Sequence, residues 1–228
     1  MGQLSKQKKD EMRQKGMSEH EIAYYDAETE KDYESLLHDP GVNKVLLANI
    51  ATDVTTLPLK ILVLQHPNVD HISQKYILGR ADKKPYYETI VETFFSNNKN
   101  LDEKVWLSLR EDYNVAGRLD IATMNILENQ SDAISKQKLD VIFNSLEVTG
   151  IKDLKYAERY LLAIFEHKNF SVEILDGKMC RQPYVFYNTD ILNALQKTKQ
   201  EHAIYIKMFE ITNDVNWLPT DVKNIFIF

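Results

Sequence analysis

A single cysteine, Cys180, leaves this chain of 228 residues no intramolecular disulfide to staple its fold, and points to a reducing compartment. Glycine (7) and proline (6) are scarce while tyrosine (12) and phenylalanine (9) are plentiful, which excludes a disordered chain or a turn-rich β-sandwich. No apolar run approaches the roughly 18 residues of a membrane span. The charged N-terminus is unlike a signal peptide, and Lys6 stands where a myristoylation signal carries Ser or Thr. The expectation is a cytoplasmic protein, or a virion protein made in a cytoplasm. Signatures of catalysis are missing too: there is no Gly-rich phosphate loop, no nucleophile elbow and no paired C-x-x-C motif. A non-enzyme without cofactor or metal is expected.

The net charge of −6 lacks the basic excess of a nucleic-acid binder. It is unevenly spread: residues 1–17 carry +3, residues 18–39 carry −7, and the remainder is near −2. The polar segment 1–17 has almost no apolar stripe, so it is expected to fray or to dock on a partner. Ser18 and Glu21 form a capping-box pattern that opens a helix predicted to run to about Leu37. The acidic run Asp26 to Glu34 reads as a solvated helix face, with a grip on a basic partner as the alternative.

Helical periodicity dominates from Pro40 to about Phe165. Tyr87, Ile90, Val91, Phe94 and Phe95 fall on one helical face, as do Leu139, Ile142, Phe143 and Leu146. About eight helices are predicted, with breaks at Asn97-Asn98, Asn129 to Asp132 and Gly150. Beyond residue 168 the texture changes. FSVEIL, Asp176-Gly177 and MCRQPYVFY read as a β-hairpin over 170–187, since Asp-Gly favours a two-residue turn. Thr189 then caps a helix, residues 201–211 alternate as a further strand, and the apolar tail Ile225, Phe226, Ile227 and Phe228 could add to a sheet edge.

His66, Asp70 and His71 in VLQHPNVDHISQKYIL are a candidate metal site, because two imidazoles and a carboxylate can ligate zinc or iron. Adjacent helical residues diverge by about 100°, however, so Asp70 and His71 do not converge. The plainer account is a loop with Asn68 as helix cap and Asp70 in the first turn. LLHDPGVNKVLLANIA (36–51) repeats this skeleton: Leu36 falls on Val63, Leu37 on Leu64, Pro40 on Pro67, Val42 on Val69, Val45 on Ile72 and Ile50 on Ile77. A poorer copy lies at 107–122. The apolar skeleton recurs and the polar trio does not.

Over about 36–122 this pattern resembles the paired helices of HEAT-like and leucine-rich-repeat-variant proteins, which implies stacked helices that bind macromolecules. A second resemblance covers about 118–187, where helix, helix, turn, a helix with Lys152, Lys155 and Arg159, and a hairpin with Lys178 and Arg181 resemble a winged helix-turn-helix. That order implies phosphate contacts from these five residues to duplex DNA, although residues 133–187 hold eight basic against seven acidic groups. The fold expected is mainly α: a HEAT-like body over 18–130, then a small winged-helix-like α+β part over 131–228. The leading functional expectation is a non-catalytic adaptor or assembly protein with a protein partner, and the alternative is a DNA-binding factor.

Overall fold

The computed structural model describes residues 4–79, 86–111, 113–146, 154–181 and 189–218. Among them every regular element is a helix, with no strand. It divides into two compact units, one of residues 1–99 and 111–122, the other of residues 100–110 and 123–228.

In the first unit α1 (Lys6–Gln14) is followed by α2 (Glu19–Asp26), α3 (Glu30–Leu37), α4 (Lys44–Asp53), α5 (Leu57–Gln65), α6 (His71–Gly79) and α7 (Tyr86–Asn97). These helices pack in two rows: α2 on α4 and α4 on α6, and beside them α3 on α5 and α5 on α7. Leu47, Ile50, Val63, Leu64, Ile77, Ile90, Phe94 and Phe95, on the four helices α4 to α7, are buried in this unit. The polar N-terminal segment docks on its own chain, where Met12 is buried and Lys9 meets Asp26 at 2.5 Å. The helix expected from Ser18 to Leu37 is two helices, because Thr29 and Asp32 form a second capping box.

In the second unit α8 (Glu103–Glu111) leads to α9 (Tyr113–Glu128), which begins in the first unit, then α10 (Lys136–Ser145), α11 (Leu154–Phe165), α12 (Ile174–Arg181), α13 (Thr189–Lys197) and α14 (Glu201–Thr212). Again next-but-one helices pack, α10 on α12 and α12 on α14, with α11 on α13. Phe143, Phe165 and Phe170 stack edge to face at 5.7 and 5.5 Å. Buried Trp106 donates its indole N–H to Ser145 Oγ at 2.8 Å.

The winged α+β part is therefore corrected. Ile174–Arg181 is a helix, and residues 182–187 of the expected hairpin lie outside the described residues. Gly177 makes no turn: it lies where α12 passes the Asn144 side chain, which a Cβ would meet at 3.0 Å. The expected strand 201–211 is α14. Its buried Ile204 and Met208 are four apart, a spacing that fits either period, but Ile206 between them is 36% exposed.

One turn scheme joins the helices α3 to α4, α5 to α6, α9 to α10, α11 to α12 and α13 to α14. In each, a polar side chain accepts the N–H of the residue two positions on. The pairs are Asp39 with Gly41, His66 with Asn68, Ser131 with Ala133, His167 with Asn169, and Thr198 with Gln200. The same leading residue's carbonyl accepts the N–H three positions on, at 2.8 to 3.3 Å. Side-chain amides then strap one turn to the next: Asn68 to the Pro40 and Val42 carbonyls, Asn169 to Ile134, and Gln200 to Phe165. Gln130 takes a left-handed φ of 57° at the end of α9, and its amide oxygen accepts the Lys168 N–H at 2.7 Å.

Two positions on α8 test this packing. Trp106→Ala should destabilise the protein by about 3–5 kcal/mol, and Leu107→Ala, on the exposed side, by about 0.5 kcal/mol or less. Urea unfolding followed through the remaining Trp217 reads both.

Candidate partner-binding surface

Of His66, Asp70 and His71, the first two are spent on structure. His66 is buried in the turn before α6, with Nε2 3.1 Å from the Asp39 carbonyl and Nδ1 accepting the Asn68 N–H at 3.1 Å. This pattern places the ring proton on Nε2. Asp70, rather than Asn68, caps α6: its Oδ1 accepts from Ser73 N and from Ser73 Oγ, both at 2.9 Å. His71 is exposed on the first residue of α6.

The five basic residues expected at DNA fare differently. Arg159, exposed on α11, donates from Nε and Nη2 to the Glu128 carboxylate at 2.5 Å each. Lys155 lies on α11 as well, and Lys178 and Arg181 lie on α12 in place of a wing. Lys152 lies outside the described residues, as do Ile225, Phe226, Ile227 and Phe228.

Periodicity alone did not single out the outer face of the α2–α4–α6 row. Val45 on α4 is 67% exposed, Ile72 on α6 45%, Tyr76 on α6 40%, and Tyr25 on α2 55%. Val45 and Ile72 are the pair that the internal repeat superposes. Each stands two residues past its helix cap, Asn43 for α4 and Asp70 for α6. Their repeat-mates Ile50 and Ile77 are fully buried, so the register that buries one position exposes the other. Across α2 and α4 opens a cleft of about 400 Å³, lined by Glu21, Tyr24, Tyr25, Lys44, Val45 and Asn49.

Charge is fixed around this cleft. Tyr24 donates to Asp53 Oδ2 at 2.7 Å, and burial followed by that carboxylate pushes the phenol well above its ordinary pKa. Tyr33 lies against the same carboxylate and is raised too, first by burial and then by the charge of Asp53. Tyr24 and Tyr25 pack edge to face at 5.3 Å. Glu21 completes the capping box of α2, whose Ser18 hydrogen bonds hold its carboxyl below the usual range. His20 bonds Asp39 at 2.9 Å, and a Cβ on Gly41 would meet the His20 ring at 2.8 Å, so a side chain there would displace His20 from Asp39.

Compared with known proteins, this chain matches no family model, no curated protein and no solved structure.

If the His66 turn is structural, Asn68→Ala should cost about 1–3 kcal/mol, because the Pro40 and Val42 carbonyls lose their donor. His71→Ala should change stability by less than about 0.5 kcal/mol. Thermal melting in excess EDTA should match melting without it. A drop in melting temperature with EDTA would reinstate a metal at the histidines.

Proposed function

We propose that this chain is a non-catalytic adaptor or assembly protein, built of HEAT-like helix pairs, that holds a protein partner against the α2–α4–α6 face. One observation carries the reading: Val45 and Ile72, equivalent positions of consecutive repeats, are both large, apolar and exposed. Single exposed apolar residues are ordinary on any surface. Recurrence at one register along a row of helices is what a stacked-helix protein uses to present a continuous binding strip.

The geometry suits an extended partner segment. Packed helices stand about 8–10 Å apart, and an extended chain advances about 3.3 Å per residue. About three residues of such a segment therefore span the distance from one helix of the row to the next. The acidic stretch 18–39 borders the α2 end of the strip and favours a partner that carries Lys or Arg there.

The test is partner capture by the whole protein, from the cells that make it, beside a Val45→Asp/Ile72→Asp variant. Both sites are exposed, so the variant should keep the wild-type circular dichroism and melting temperature. Burial of two such side chains contributes about 1.5–3 kcal/mol each, so the captured partner should bind the variant about 10²–10⁴-fold more weakly. A folded variant that retains every partner at wild-type affinity would refute the proposed surface.

A further inference from the structure

Among the described residues, three of the five turns built on this scheme are led by an oxygen: a carboxylate at Asp39 and hydroxyls at Ser131 and Thr198. The other two are led by imidazole Nδ1, at His66 and His167, and a ring nitrogen accepts an N–H only while it carries no proton. The two histidines differ on their far side. His66 Nε2 meets the Asp39 carbonyl, whereas His167 is 1% exposed and its Nε2 makes no hydrogen bond of normal geometry.

We propose that the 166–170 turn is an acid-operated joint: neutral His167 closes it by accepting the Asn169 N–H, and protonation of Nδ1 sets two N–H groups against each other and opens it. Opening would also strain the neighbouring straps, Asn169 to the Ile134 carbonyl at 2.7 Å and the Lys168 N–H to Gln130 Oε1 at 2.7 Å. The joint lies between α11 and α12, so its release loosens the connection between the two rows of the second unit.

The surroundings agree with this direction. Burial is the largest influence on His167 and holds its pKa below the ordinary imidazole value; the Ser131 backbone and Asp132 pull it up and Lys168 pushes it down. Asp132 and Lys168 are paired with each other at 2.5 Å, so their charges largely offset. Of the other charged groups nearby, Glu166 is exposed and Glu173, in the turn just before α12, is turned to Lys136 at 3.3 Å. An opened turn returns the ring to a pKa of about 6.5. Below that value the open form binds more protons than the closed one. Closure is therefore fully stable above about pH 6.5 and weakens as pH falls, by up to about tenfold per pH unit, until the closed form's own pKa is reached.

Amide hydrogen exchange on the full chain, corrected for intrinsic rates, tests this at Asn169 and Phe170, the two amides that the turn closes. Their protection should fall about tenfold or more between pH 7.5 and 5.0, while Gly41, held by the Asp39 carboxylate, keeps its protection. His167→Asn puts an amide oxygen in the place of Nδ1 and should abolish the pH dependence. If that variant does not fold, the wild-type ring ¹⁵N shifts decide: they should show an unprotonated Nδ1 at pH 7.5 that titrates together with the loss of protection. Protection independent of pH, a pH dependence that survives in His167→Asn, or a proton on Nδ1 at pH 7.5 would each overturn the proposal.

Discussion

The turn hydrogen bond from a leading side chain to the N–H two residues on is the constraint on which the helical stack depends. Several helices here run only eight to ten residues, as in α3, α4 and α10. Isolated helices of that length do not persist in water, since nucleation is costly and few hydrogen bonds follow it. They persist because each is clamped at an end and packed on its next-but-one neighbour. The clamp fixes where one helix stops and the next starts, so it also sets which residues face the core. The amide straps from turn to turn then hold neighbouring pairs in register.

Much of the helical content was legible from apolar spacing. Tyr87, Ile90, Val91, Phe94 and Phe95 are all buried on α7, and Leu139, Ile142 and Phe143 on α10, because an amphipathic stripe has only one way to be covered. The number of helices was not legible. The breaks at His66, His167 and Thr198 are made by side-chain acceptors rather than by Gly, and each was marked in the sequence: by a loop before α6, by the change of texture after residue 168, and by the end of the helix that Thr189 opens. Thr29 divides an acidic run whose composition reads as one helix. The hairpin reading failed for a related reason: Asp176-Gly177 has the chemistry of a turn, but Gly177 is there to let α12 pass close to Asn144.

The surface was half legible. Superposing residues 36–51 on 63–78 paired Val45 with Ile72 before any exposure was known, and this pairing is what gives the strip its phase. Nothing in the spacing could show that this pair faces outward while Ile50 and Ile77, paired just as well, are sealed in the core. Exposure follows from which row a helix joins, and that is settled by contacts between residues far apart in sequence. Conversely, two of the polar trio are used up, His66 in closing one turn and Asp70 in capping one helix, and His71 is left on the surface.

The equivalence of the turns at Asp39 and His66 makes them interchangeable couplings. They lie 27 residues apart, and each closes by the same pair of bonds, to the residues two and three positions on. The segment between them is thus a module bounded by matching joints. Gaining or losing one such module would lengthen or shorten the exposed strip by one helix while keeping Val45-type positions in line. The reach of the strip is a matter of module number, and its chemistry can vary independently of that.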